Sequence, residues 1–351
     1  MDKNQFTKKQ HLIPQFWVKK WESNVNGERV IYAINDGFKE PFVIRITTKN
    51  HLSHDESIFD CYTYENTLSR ENSVEHGLSR IETGASKAIS IIENYFISNF
   101  SSEEISIVDI FFVVTLIFSA FYRSEYIRSF FKNPESPFAM MSFDEGSQLN
   151  FFDLFSLKLK LHLELMLKLS AKYKYESGKK LAFSGKIPTI ENTFNISDNH
   201  VSTLDDLLNK YNQHFYYSYS FKAVKFLWIS DDIDMTFLFN NLTLSINSYS
   251  KNCKEFSERI KTEFLMKEQD ELFITALTPR ILCILAYPSE TEKKMEIIEA
   301  RFNPETQFNN VHITFDFISD PNFIREYNRL VVDISKKNDK NIVLYQNHID
   351  I

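Results

Sequence analysis

Four side chains in this 351-residue sequence have the types and settings for acid–base or metal chemistry: His11, Glu75, Glu82 and Asp231. Pro14 restricts the residue before it to extended geometry, so His11 lies on a rigid extended entry and not on a helix. A fixed backbone suits a metal ligand or a general base, and equally a buried imidazole bonded to a carboxylate. Gln15 is neither acid nor base, but it can orient a ligand or a partner carbonyl. Glu75 and Glu82, seven apart on a helix, fall within about 20° of each other around it and about 10.5 Å apart along it. That separation is too long for both to clasp one ion, so a metal site needs further ligands, for which His11 and Asp231 are available. Hard carboxylates with one imidazole accept Mg²⁺, Mn²⁺ or Zn²⁺. Asp231, Glu82 and His11 are then the metal ligands. The structural alternative has Glu75 capping its helix and Glu82 pairing with Arg123. Asp231, Asp232 and Asp234 follow an apolar segment; acidic residues past a strand end hold catalytic or metal groups, and they also form turns.

Periodicity indicates the elements that must position these groups. Short strands are expected at Arg29 to Ile34 and Pro41 to Thr47, joined through the turn sequence Asn35-Asp36-Gly37. Asn72 with Glu75 fits a capping box, and Val74, Leu78, Ile81, Ala85, Ala88 and Ile92 follow at helical spacing, which predicts a helix to about Phe96. A second helix is expected from near Ser102. A lysine-rich helix follows, with eight lysines between Lys158 and Lys186 against Glu164 and Glu176; it reads either as a solvated face or as a surface for phosphate. The last third, at Val224 to Ile229, Met235 to Ile246, Leu272 to Leu277, Ile281 to Pro288, Glu296 to Phe302 and Val311 to Phe317, has the composition of strands. Asn322 to Lys337 reads as a helix and Asn341 to Tyr345 as a closing strand. The expected fold is α+β in a single domain, 1–351, with a helical region (70–215) packed on a mainly antiparallel sheet built largely from residues 220–351.

Composition removes whole classes of function. Glycine and proline together number 16 of 351, under half of the roughly 12% of average usage. No two of the seven glycines are closer than seven residues. Neither a Rossmann fingerprint, nor a P-loop, nor a nucleophile elbow can be written with that spacing. His51 and His54 lie in a polar stretch without a nearby third ligand. The three cysteines form no C-x-x-C and leave an odd count, which suits a reducing compartment. The N-terminus has no apolar core of a signal peptide. Ile105 to Tyr122 is interrupted by Asp109, Thr115 and Ser119 and is shorter than a bilayer span, so it reads as a buried core helix. A cytoplasmic protein without a membrane span is expected. The net charge of -7 disfavours broad nucleic-acid binding but leaves room for a local basic groove.

The opening His11-Leu12-Ile13-Pro14-Gln15-Phe16, followed by Val18 and Trp21, resembles the H-x-x-P-Q-x-x-L-x-x-F start of the bacterial domain of unknown function numbered 4238. Four more segments match in order. Glu75 and Glu82 are similar to that family's paired-glutamate helix, and Arg123 and Arg128 in AFYRSEYIR resemble its arginine-bearing helix. FLWISDD, with Ser230 and Asp231, resembles its strand ending in T-S-D-N-P, and Asn328 resembles the Asn of its last helix. Here Asp232-Ile233 replaces the Asn-Pro that follows the Asp.

The family supplies no activity of its own, so function is expected from the residues. One expectation is a metal-dependent nuclease or phosphodiesterase, an effector of an anti-phage defence or mobile-element system acting on RNA or DNA with Mg²⁺ or Mn²⁺. His11, Glu75, Glu82 and Asp231 would be catalytic, while Gln15, Arg123 and Arg128 would hold substrate. The other is a non-catalytic subunit of a defence complex, in which the polar motifs form a buried network and an aromatic surface binds a protein partner from a neighbouring gene.

Overall fold

A computed structural model describes residues 9–11, 13–34, 42–44, 54–56, 73–98, 105–122, 219–239, 244–245, 251–264, 267, 270–302, 311–336 and 343–345. The chain enters through β1 (Lys9–His11), the single-turn helix α1 (Gln15–Val18) and a 3-10 turn, Lys19–Trp21. Pro14 sits at the head of α1 with φ -55° and ψ 131°. Its carbonyl accepts the Trp17 and Val18 amides at 3.0 and 3.2 Å. A ring that fixes φ and carries no N–H is well suited to that place.

Strands β2 (Glu22–Val25) and β3 (Glu28–Ile34) form an antiparallel hairpin. Its two-residue turn has Asn26 at φ 54° and Gly27 at φ 84°. Positive φ at both positions is what a twisted two-residue hairpin requires, and Asn and Gly adopt it most readily. β4 (Phe42–Ile44) also pairs with β3, and β5 (His54–Glu56) pairs with β1.

Helix α2 (Ser73–Ile97) buries Leu78, Ile81, Ala85, Ala88 and Ile92 of the stripe expected from spacing, together with Ile89 and Phe96, while the side chain of Val74 lies outside the described residues. Its neighbour α3 (Ile107–Tyr122) is buried through nearly every residue from Ile110 to Ala120. It starts five residues later than the expected Ser102. Ser106 caps it: the Asp109 amide bonds the Ser106 hydroxyl at 3.2 Å, and Asp109 Oδ2 accepts the Ser106 amide and hydroxyl at 3.1 and 2.6 Å. Gly84 lets the two helices approach, since a Cβ there would lie 2.4 Å from the Phe112 ring.

The main sheet is assembled from β6 (Ala223–Ile229), β7 (Leu244–Ser245), β8 (Glu271–Thr278), β9 (Ile281–Tyr287) and β10 (His312–Ile318), in the order β10-β6-β9-β8-β7. β10 runs parallel to β6 and the other three pairings are antiparallel. All seven residues of β9 are buried, as an apolar run without alternation requires of a central strand covered on both faces. Helices α2 and α3 cover one face through Phe96 on Trp228 and Phe118 on Phe273. The other face carries α4 (Lys251–Glu263) and α6 (Pro321–Lys336), packed through Phe256 on Phe323. Arg259 joins these two helices, bonding Asp320 at 2.5 Å and Glu326 at 2.8 Å. α5 (Thr291–Phe302) precedes β10, and β11 (Val343–Tyr345) returns to pair with β3. The fold is α+β. Among the described residues no helix is long and apolar enough to cross a membrane.

Three expectations change. Glu296 to Phe302 is the second half of α5 and not a strand: Ile297-Ile298 suggested β, but Glu, Lys, Met, Ala and Arg around them favour a helix. Met235 to Ile246 is not one strand, since residues 233–238 are irregular and only Leu244–Ser245 is a described strand there. Helix α4 went unread because its apolar stripe is short, Cys253, Phe256 and Ile260. The Asn35-Asp36-Gly37 turn, the lysine-rich helix and the remainder of 70–215 beyond α3 lie outside the described residues.

Candidate functional site

The segment after β6 gathers polar contacts of Ser230, Asp231 and Asn328, residues singled out in the sequence. Strand β6 ends at Ile229, and the Ser230 amide then donates to the Ile318 carbonyl of β10 at 3.0 Å. A turn follows, closed by the Ile233 amide on the Ser230 carbonyl at 3.0 Å. Ile233 is buried while Asp231, Asp232 and Asp234 stay exposed, so one apolar anchor holds out three carboxylates. Arg280, from the tight β8–β9 connection, fixes the shape. One guanidinium nitrogen donates to the carbonyls of Ile229 (2.6 Å) and Ser230 (2.9 Å) and to Asp231 Oδ1 (3.1 Å). The guanidinium also lies over the Trp228 ring at 5.7 Å. Asp231 is 93% exposed, so its ion pair is screened and contributes little; the carbonyl bonds do the positioning.

Downstream, residues 236–238 are irregular backbone, buried at Phe237 and Leu238, and other parts of the chain satisfy them. The Phe237 amide donates to the Pro279 carbonyl at 2.8 Å. Asn328 of α6 donates its amide to the Thr236 carbonyl (3.0 Å) and accepts the Leu238 amide on its oxygen (2.9 Å). Trp21 donates its indole N–H to the Phe237 carbonyl at 3.1 Å, and Trp17 donates to the Leu277 carbonyl at 2.9 Å. Both indoles pack on Phe239, with centroids at 4.8 and 4.7 Å. Buried backbone outside a ladder needs such partners, and this is why the apolar run reads as a strand but does not form one.

The residues expected to form a site are placed as follows. Asp231 is on the turn. Gln15 opens α1 and is half-buried, and Glu82 is half-buried on α2. Glu75 lies in the first turn of α2 and His11 ends β1, where the register sets His11 opposite His54; the side chains of all three lie outside the described residues. So do Arg123 and Arg128. The described neighbours of Asp231 are Arg280 and Trp228, and Trp228 stacks on Phe96 at 5.3 Å. Phe96 is fourteen residues beyond Glu82, about 21 Å of rise along a helix. Among the described residues no group of three or more His, Cys, Asp or Glu is arranged to hold a metal ion.

The chain from residue 9 to residue 345 matches the model of a family described as a protein of unknown function, DUF4238. The chain belongs to the DUF4238 family. No curated protein and no solved structure matches it. The family match therefore spans β1 to β11, including Trp21, Ser230, Asp231 and Asn328, the resembling positions that meet around residues 230–239. In this DUF4238 protein Arg280 and Trp17 are equally part of that junction and were not anticipated. A signal existed for one of them: the chain has three tryptophans, Trp17, Trp21 and Trp228, and all three touch residues 231–239 or the carbonyl beside them. For Arg280, sequence offers only its place in a turn.

Proposed function

We propose that this DUF4238 protein works as a non-catalytic binding subunit, whose protein partner docks on the acidic turn at the end of β6. The observation that carries the reading is Asn328, with both amide atoms committed to the backbone of residues 236–238. Trp17, Trp21 and Arg280 contribute in the same way, by shaping a segment and not by facing a cleft. The product of that shaping is a rigid surface of Asp231, Asp232 and Asp234 beside the partly exposed Trp228 and Phe317, the last 41% exposed. Aromatic area flanked by charge is a common composition of a protein interface. Changing all three aspartates to lysine should preserve the fold, because none is buried, and abolish a complex with the cognate neighbouring gene product in size-exclusion chromatography.

A second reading rests on the exposed Asp231 carboxylate past a strand end: a Mg²⁺- or Mn²⁺-dependent phosphodiesterase of a defence or mobile-element system, with Asp231, Glu75, Glu82 and His11 at its centre and Gln15, Arg123 and Arg128 on the nucleic acid. Purified protein incubated with labelled RNA and DNA in either metal, beside Glu82→Gln and Asp231→Asn, separates the two. Cleavage lost in both variants establishes the enzyme and refutes the binding subunit. An intact substrate with all three proteins, together with a complex that the lysine variant cannot form, does the reverse.

A further inference from the structure

Strands β6 and β8 begin, and β9 ends, at the edge of the main sheet farthest from the acidic turn. The seven residues of β6 lie between the two places, about 23 Å of extended chain. Here the sheet edge and one face of α5 enclose a cavity of about 270 Å³. Local bonding fixes its walls. The Lys222 amide donates to the Ala286 carbonyl at 2.8 Å, and the Asp270 amide donates to the Lys267 carbonyl at 3.0 Å, which closes a turn carrying both Lys267 and Asp270. Pro288 has no N–H to extend β9, and the chain leaves the sheet there for α5. Spacing along α5 then turns Lys293, Glu296 and Ile297 towards the same cavity.

The most buried charge in it is Asp270, whose side chain is 4% exposed. Its Oδ1 accepts the Lys222 ammonium, and among the described residues Oδ2 has no partner. An ionised carboxylate held out of water with one oxygen unmet gains most from a charged donor. Nearer the surface Lys293 bonds Glu290 at 2.8 Å, while Lys267 makes no ion pair among the described residues. In all, three lysines and three carboxylates line the cavity, with Pro288 and Ile297 as its apolar wall. A simple anion would face Asp270, Glu290 and Glu296, and a simple cation would face the lysines. A molecule carrying both charges on neighbouring atoms meets neither objection, because it can lie head to tail on the Asp270–Lys222 pair.

We propose that the cavity binds a free α-amino acid with an apolar side chain. Its ammonium donates to Asp270 Oδ2, its carboxylate takes the Lys222 protons not used by Asp270 together with Lys267, and its side chain lies on Pro288 and Ile297. Size agrees: the volume falls just under the range of about 300–1,000 Å³ that drug-sized ligands occupy. The cavity is distinct from the acidic turn, so the inference goes beyond the binding-subunit reading and does not depend on it.

The test uses the full chain and isothermal titration calorimetry with L-leucine. Beside it are isocaproate, which lacks the ammonium, isopentylamine, which lacks the carboxylate, and inorganic phosphate. L-leucine should bind with a Kd of about 1 mM or tighter, and each truncated analogue about tenfold or more weakly. Lys267→Gln alters only an exposed side chain and should weaken leucine severalfold; Asp270→Asn should weaken it about tenfold or more. Because Asp270→Asn also loses the Lys222 pair and can loosen the turn, the analogue without an ammonium probes the same contact from the ligand side. Absence of leucine binding overturns the proposal, and so does equal binding of leucine and isocaproate. Phosphate that binds where leucine does not identifies an anion site and overturns it too. None of these results bears on the complex lost by the triple-lysine turn variant, so the two readings stand or fall separately.

Discussion

Asn328 is 2% exposed and closes two backbone bonds on an irregular segment. Asn328→Ala leaves the Leu238 amide and the Thr236 carbonyl without these partners, so unfolding in urea should show a loss of about 2–4 kcal/mol. Asn328→Asp keeps an acceptor for Leu238 but sets a carboxylate oxygen against the Thr236 carbonyl, and should also destabilise. Its neighbour Tyr327 is buried and accepts the Ala276 amide at 3.1 Å. Burial raises its phenol above the ordinary tyrosine value, with the Ala276 bond acting in the opposite direction. Folding therefore favours the neutral phenol. That stabilisation is complete below a pH of about 10, the unfolded value, and is lost as pH rises towards the higher folded one. Denaturation at stepwise alkaline pH should show a larger loss in the wild type than in Tyr327→Phe, where the buried Cys283 thiol, also raised by burial, still contributes one; the variant starts about 1–2 kcal/mol less stable through the orphaned Ala276 amide.

The approach of α2 to α3 depends on Gly84. Alanine would favour the helix by about 1 kcal/mol, but its Cβ falls 2.4 Å from the Phe112 ring, with the ring's inner carbon at 2.6 Å. The clash should prevail, and Gly84→Ala should lower stability by about 1–3 kcal/mol in thermal unfolding. Adding Phe112→Ala should recover part of it, since the two positions are coupled. Helices of this kind were legible in the sequence. The α2 stripe and the apolar continuity of α3 are local patterns, and local patterns survive in one dimension. Strands β6, β8, β9 and β10 were legible through β-branched and aromatic runs. What failed was also local in cause: Ile297-Ile298 outweighed their helix-forming neighbours, and Met235 to Ile246 reads as one strand because burial alone makes a segment such as 237–239 apolar. Of the site, Asp231 and Asn328 were found through resemblance. Arg280 acts by reaching carbonyls about fifty positions earlier, which no spacing rule records. His11 was placed on an extended entry and lies in β1, but the pairing that sets His54 opposite it brings together residues 43 apart, and the sequence marks that stretch only as polar.

Across the whole molecule, Trp17 and Trp21 join the first residues of the fold to the C-terminal sheet, at separations of 260 and 216 positions. Trp17→Phe with Trp21→Phe keeps most of the apolar area and removes two indole N–H donors, so a cost of about 1–3 kcal/mol is expected from urea titration. If the ends fold as one cooperative unit, fluorescence and circular dichroism should give coincident transitions. The parallel pairing of β10 with β6 has a kinetic side. Residues 223–229 must wait for residues 312–318, with β7, α4, β8, β9 and α5 intervening in the chain. Long-range pairing of this type is slow, because the loop has to close before its contacts stabilise anything. During synthesis β6 therefore spends an interval as the outermost strand, with Phe226 and Trp228 open to whatever is nearby. That interval is when the protein is most exposed to misassembly, and it ends when β10 pairs with β6.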